Sequence, residues 1–224
     1  MSRFFVTATG TDIGKTVVSS HLLHQLRRAG RDPLGLKPVA SGVDPSALEV
    51  SDPGRLLLAM GRPVDESNLR AICPWRYADP LAPDAAAARV GASLDFDALV
   101  DFVNDYWARD DLLVEGVGGV CVPLAKHHCV LDWMVATRLP ALVVTGSYLG
   151  AISHLLSALD SLQGARIPVL GVVVNRSVEE PMPVEEMLEA ARPWLPDRPV
   201  AVFPRLSDPW DFDAGPDLLR ALSR

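Results

Sequence analysis

The stretch VTATGTDIGKTV, Val6 to Val17, decides the fold. It closes on Gly14-Lys15-Thr16, the end of a phosphate-binding loop, but the Walker pattern wants glycine five residues before Gly14 and that position holds Thr9. The flanks argue for a phosphate cradle. RFFVTAT before the loop is an apolar, β-branched run of strand length, and after it Val18, Leu22, Leu26 and Ala29 recur at the spacing of one helical face. In a strand, loop, helix unit the backbone N–H groups of the loop point inward and the helix N-terminus adds partial positive charge, so both hold a polyphosphate. Lys15 would reach the β- and γ-phosphates and the Thr16 hydroxyl would ligate Mg²⁺. Gly10 and Gly14 supply the backbone freedom that Thr9 does not. The competing reading is a tight strand-to-helix turn carrying a solvated lysine.

At 224 residues, with no low-complexity linker to divide it, the chain reads as one α/β domain spanning residues 1–224. A formal net charge of −7 argues against a broad nucleic-acid surface but leaves room for a local cationic pocket. No apolar run approaches membrane-spanning length, and the N-terminus runs directly into a strand without a signal-peptide pattern. These features predict a soluble, cytoplasmic protein with neither nucleic-acid nor membrane partners. Cys73, Cys121 and Cys129 lack paired spacing and read as reduced thiols. CVPLAKHHCV, Cys121 to Val130, gathers two cysteines and two histidines, but without C-x-x-C or H-x-x-x-H spacing it reads as an ordinary loop rather than a zinc site.

Apolar strand-like runs recur at PLGLKPV, LLVEGVGG, ALVVTG, VLGVVVN and PVAVFP, each separated by a helical pattern. One such helix is DFDALVDFVNDYW, with Phe96, Leu99, Val103 and Tyr106 or Trp107 on its buried side. The alternation predicts a parallel sheet of about seven strands with helices on both faces and ligands at the carboxyl ends of the strands. Two of those ends stand out. LKPVASG places Lys37 at a strand end with Ser41 and Gly42 in the loop beyond, and LLVEGVGG runs into Glu115 and a glycine-rich turn. Glu115 is a candidate second Mg²⁺ anchor, because the hard cation needs oxygen ligands beside the phosphates. Asp52 reads equally as a further ligand or as the N-cap of the helix PGRLLLAMG.

The combination resembles the dethiobiotin synthetases. FVTATGTDIGKTVVSS, GLKPVASG, Ser51-Asp52, YADPLAPDAAA, LLVEGVGGVCVPL, Asp132-Trp133 and YLGAISH occur in that family's order and spacing, from about Phe4 to Pro204. The family's loop glycine lies one residue earlier than in the Walker form; here Ala8 holds that place and Gly10 supplies flexibility nearby. The resemblance implies ATP- and Mg²⁺-dependent closure of a cyclic urea from 7,8-diaminononanoate and CO₂, through a carbamate and its phosphorylated form, to dethiobiotin, ADP and phosphate.

It also implies roles. Thr11, Asp12, Ile13, Gly14, Lys15, Thr16 and Val17, with Glu115, Asn175 and Pro204, match positions around ATP; Thr16, Asp52 and Glu115 form the inferred metal set. Lys37 would oppose ammonium on the substrate and favour the carbamate anion, while Lys15 would neutralise charge during phosphoryl transfer. Thr11, Asp12, Lys37, Ser41 and Gly118 match the diamine site, with Asp12 standing where glutamate is more usual. Relatives of this kind are homodimers, and Tyr148, Gly150 and Ser153, the last in place of a typical asparagine, would meet the substrate tail at the subunit interface. Two rivals fit less well. A partitioning-type switch ATPase carries a signature lysine where this chain has Gly10, and an amidoligase of the cobyrinate-amidating type needs a glutaminase cysteine in a nucleophile turn.

Overall fold

All six apolar runs read as strands enter one parallel sheet in the computed structural model, which describes residues 3–195 and 198–223. The first half of the chain supplies β1 (Arg3–Ala8), α1 (Lys15–Arg28), β2 (Leu34–Leu36), β3 (Val39–Ser41), α2 (Asp52–Ala59), α3 (Glu66–Ile72), β4 (Trp75–Tyr77), α4 (Pro83–Arg89) and α5 (Phe96–Asn104). Then follow β5 (Leu112–Glu115), β6 (Pro123–Ala125), β7 (His128–Cys129), α6 (Val130–Thr137), β8 (Ala141–Thr145), α7 (Ala151–Gly164), β9 (Val169–Asn175), α8 (Val184–Ala191), β10 (Val200–Phe203) and α9 (Leu218–Ala221).

The central sheet has the order β10-β9-β8-β1-β5-β2, so it holds six strands among the described residues rather than about seven. Every neighbouring pair is parallel. β1 and β8 carry unbroken buried runs, Phe4–Ala8 and Ala141–Thr145, as strands covered on both faces must. Trp133 of α6 meets the Phe5 ring edge-on at 4.9 Å, sealing the sheet centre. The chain places β5 and β2 on one side of β1 and β8 to β10 on the other. Loops therefore part at the carboxyl end of β1, where ligands bind in open parallel sheets.

Two local readings change. PLGLKPV is not one strand: the sheet run stops at Leu36, because Pro38 has no N–H for a ladder, and the chain resumes at Val39 in a separate parallel pair with β4. CVPLAKHHCV is a small antiparallel hairpin, β6 with β7, rather than a plain loop. Elsewhere the periodicities hold. Val18, Leu22 and Leu26 of α1 are buried while Ala29, its C-cap, is exposed; on α5 Leu99 and Val103 are buried and Phe96 is half-buried, and in the turn past its end Tyr106 is half-buried and Trp107 exposed. Among the described residues no helix is long and apolar enough to cross a membrane. Of the terminal stretch Gly215 to Arg224, Arg224 lies outside the described residues.

Cys73, just past α3, is fully buried, and burial pushes its thiol up to about 12. A folded chain should therefore leave Cys73 unlabelled by maleimide at pH 7 and equally at pH 9, both far below that value, while exposed Cys121 reacts. Mass mapping before and after urea unfolding checks this; rapid native labelling of Cys73 would contradict the packing described.

Candidate active site

Thr9, the residue that breaks the Walker pattern, behaves as a strand residue. Its N–H donates to the Val144 carbonyl at 3.0 Å and its hydroxyl to Thr145 at 3.3 Å, so β1 pairing with β8 extends to the lip of the loop. The turn proper comes later. Asp12 and Gly14 both adopt positive φ, 56° and 93°, and Gly14 caps α1 without a side-chain cap, leaving N–H groups at the helix start free for a ligand. Behind the loop the Asn175 amide donates to the Ile13 carbonyl at 2.9 Å. A Cβ on Gly14 would lie 2.1 Å from that amide nitrogen, so glycine is required twice over, by φ and by space.

A cleft of about 700 Å³ opens over the loop, bordered by Thr11, Asp12, Gly14, Lys15, Thr16 and Val17. Lys37, Ser41, Asp52 and Gly118 line the same cleft, brought there by the ends of β2, β3 and β5 and by the start of α2. Glu115 lies behind this lining, fully buried at the end of β5 and in contact with Thr16 and Lys37. One oxygen, Oε1, accepts from the Thr16 hydroxyl at 2.8 Å and from Lys37 Nζ at 2.8 Å. Lys37 is itself 2% exposed, and its ammonium also donates to the Gly116 carbonyl at 2.8 Å and meets Asp52 Oδ2 at 3.1 Å. All three of its N–H bonds thus have oxygen partners.

Charge states follow from these contacts. Burial alone would push Lys37 down, but Glu115 and Asp52 outweigh it and hold the amine above its ordinary value, so it stays a cation. For Asp52, burial in the cleft opposes ionisation, yet the charge of Lys37 keeps its carboxyl below the usual range. Lys15, curled back so that Nζ donates to the Gly10 carbonyl at 3.2 Å, is lowered to about 8, first by burial and then by the charge of Lys37. The second Glu115 oxygen, Oε2, is buried without a hydrogen-bond partner. An unpaired buried carboxylate oxygen beside a hydroxyl and a second carboxylate is an all-oxygen donor set that fits Mg²⁺.

Asp52 is not the N-cap of α2. Ser51 takes that place, its hydroxyl accepting from Gly54 N–H at 3.3 Å, which frees the Asp52 carboxylate to face Lys37. Asn175 and Pro204 sit side by side at the ends of β9 and β10, where Phe203 pairs with Asn175. Tyr148, Gly150 and Ser153 stand apart from the cleft, at the start of α7, where Gly150 caps the helix and the Tyr148 hydroxyl meets His154 Nδ1 at 2.8 Å. Sequence reasoning missed Trp210, which lines the cleft. Its only sequence signal is an aromatic residue in a stretch of turn formers, SDPWDFD.

The match to known proteins runs the length of the chain. Residues 2–208 fit a family model described as an AAA domain. The chain is 44% identical over 206 residues to the ATP-dependent dethiobiotin synthetase BioD of Acidiphilium cryptum, covering 91% of this chain and 92% of that protein. It is 43% identical over 227 residues to the BioD of a Caulobacter species, covering 99% and 95%. Among solved structures, a ParA family ATPase from Chlorobium tepidum aligns with a TM-score of 0.56 at 14% identity, covering 100% of this chain and 94% of that one. The septum site-determining protein MinD of Pyrococcus horikoshii, complexed with Mg-ADP, aligns at 0.52 and 17%, covering 93% and 83%. At such identities the last two show a shared phosphate-loop ATPase fold and no more, whereas the sequence relatives carry one name: the chain belongs to the ATP-dependent dethiobiotin synthetase family.

Proposed function

We propose that residues 1–224 act as one ATP-binding domain that converts 7,8-diaminononanoate, CO₂ and ATP to dethiobiotin, ADP and phosphate. The observation that carries this reading is one cleft in which Lys15 and Thr16 of the phosphate loop lie beside Lys37, Asp52 and the buried Glu115. That convergence suits a reaction needing both a nucleotide and an anionic reactant.

The chemistry assigns a task to each group. The uncharged amine attacks CO₂, forming the C–N bond and releasing a proton, and the cationic Lys37 stabilises the carbamate anion that results. A carbamate oxygen then attacks the γ-phosphorus as the bond to ADP breaks, with Lys15 offsetting charge on the phosphoryl oxygens. The second amine closes the ring and expels phosphate. Thr16, Asp52 and Glu115 would hold Mg²⁺, which when bound supplies charge neutralisation of the polyphosphate. Thr11, Asp12, Ser41 and Gly118 line the diamine end of the cleft, and Asn175 and Pro204 border the base. We place the enzyme in the cytoplasm as a homodimer, with Tyr148, Gly150 and Ser153 of one subunit receiving the substrate tail held by the other. Neither nucleic acid nor membrane enters the reaction.

Three outcomes test this. Incubation with the diamine, bicarbonate, Mg²⁺ and ATP should yield dethiobiotin by mass spectrometry, with ADP formed only when the diamine is present; diamine-independent turnover stimulated by DNA or lipid would favour a partitioning-type switch instead.

Glu115→Gln keeps the shape of the buried side chain but removes the charge offered to a cation, so it should raise the Mg²⁺ concentration for half-maximal ADP binding by about tenfold or more. Superimposable Mg²⁺ titrations would remove Glu115 from the metal set.

Lys37→Gln retains a donor toward Glu115 but removes the cation that favours carbamate. Trapping of labelled CO₂ on the diamine without ATP should fall by about 10²-fold while ADP affinity changes little. Breaking a buried ion pair costs about 3–5 kcal/mol, so the assays are run at a temperature at which a thermal melt has first established that the variant is folded. Lost ADP affinity with normal trapping would reassign Lys37 to the nucleotide.

A further inference from the structure

The chain from Pro204 onward returns across α1, the helix that begins at the phosphate loop. Three polar side chains on one face of α1 grip this returning segment. His21, fully buried, donates Nε2–H to the Pro209 carbonyl at 3.0 Å; His24 meets Asp213 at 3.3 Å; Gln25 donates to the Pro216 carbonyl at 2.7 Å and accepts from Leu218 N–H at 3.0 Å. His21 also packs edge-on against Phe203 and Phe212, with ring centroids 4.7 and 5.4 Å apart. Such contacts are more than a loose terminal segment needs. They fix the residues on either side of Trp210, whose backbone N–H donates to Asp208 Oδ1 at 2.9 Å in a tight turn.

The indole is also held from the other side. The Arg55 guanidinium of α2 lies over the ring at 4.4 Å, within the range of a cation–π contact. Arg55 Nε is buried and has no hydrogen-bond partner, so this stacking is what the head of the side chain gains there. Arg55 follows Asp52 by three residues, about one turn of the same helix, so the helix that presents Asp52 to the cleft also carries the support for the ring. Arg55 does not line the cleft; Trp210 does, as the sole aromatic residue among the described residues that border it. One ring surface is therefore spent on Arg55, and Trp210 still borders the cleft that Lys15, Thr16 and Val17 also line.

We infer that Trp210 is a nucleotide-positioning residue whose indole packs against the nucleoside part of the bound nucleotide. The inference rests on the loop being a nucleotide site and not on the identity of the second substrate. The phosphates already have their partners in the loop N–H groups and Lys15. Those contacts are blind to what the phosphates are attached to. A flat, pre-positioned aromatic surface beside them recognises the one feature a nucleoside adds, a planar π-face or the apolar face of a sugar. Fixing the backbone on either side of Trp210 and stacking Arg55 on one ring face beforehand lowers the ordering cost of binding.

The test separates nucleoside from phosphate. Calorimetry would compare Mg-ADP with inorganic tripolyphosphate in wild type, Trp210→Phe and Trp210→Ala. Loss of a stacking aromatic should raise the Mg-ADP Kd of Trp210→Ala by about tenfold and leave tripolyphosphate binding unchanged, while Trp210→Phe, which keeps a ring, stays within about threefold for both. Should the alanine variant not fold, fluorescence decides: Mg-ADP should change tryptophan emission in wild type, and that change should vanish in Trp210→Phe although ADP still binds. Equal weakening of ADP and tripolyphosphate would make the ring a support for the loop and overturn the inference, as would an unchanged ADP Kd or a defect confined to the diamine. Since ADP binding needs no diamine, failure of the dethiobiotin assay would leave this result readable by itself.

Discussion

The fully buried carboxylate of Glu115 is the constraint around which the site is organised. A charge without solvent at the end of a central strand is unfavourable by several kcal/mol unless paired. This one draws its partners from two other parts of the chain, the Thr16 hydroxyl from the phosphate-loop helix and the Lys37 ammonium from the strand beyond β5. Three segments distant in sequence are thereby set at fixed positions. Removing one partner weakens the pairing of a buried charge, so the loop, the lysine and the buried glutamate stabilise one another.

Around that pairing the backbone does the shaping. Pro38 ends the β2 run at the place where Lys37 must leave the sheet, so the side chain enters the cleft instead of the core. Ser51 caps α2 and thereby releases Asp52, one residue on, to face Lys37. Asn175, four strands of sheet away from β2, fills the space that a side chain on Gly14 would need. Each device is small, and each restricts a neighbour already restricted by Glu115.

Much of this was legible in the sequence, for identifiable reasons. Buried parallel strands read as continuous apolar runs, and the residue that ends such a run is nearly forced to lie at the carboxyl edge; that is why Glu115 and Lys37 could be picked out. What stayed hidden depended on contacts that leave no periodic trace. The β3–β4 pair is two three-residue strands, too short for a pattern, and the fate of Asp52 turned on which of two adjacent residues capped a helix. Trp210 was missed because its position is fixed by His21 and Arg55, more than 150 residues earlier in the chain, and nothing in SDPWDFD signals that return. Tyr148, Gly150 and Ser153 lie at the start of α7, outside the cleft of their own chain, where the expectation of a partner's substrate tail puts them.

The ionised side chains around the cleft nearly cancel. Lys15 and Lys37 give +2, Asp12, Asp52 and Glu115 give −3, and the sum is −1. A site of that sign does not attract a bare triphosphate at long range, however many N–H groups wait at the bottom. A triphosphate partly neutralised by a divalent counter-ion crosses the same field with much less repulsion. The acidic excess around the site thus acts as a charge filter, favouring a nucleotide already paired with a cation over the bare anion.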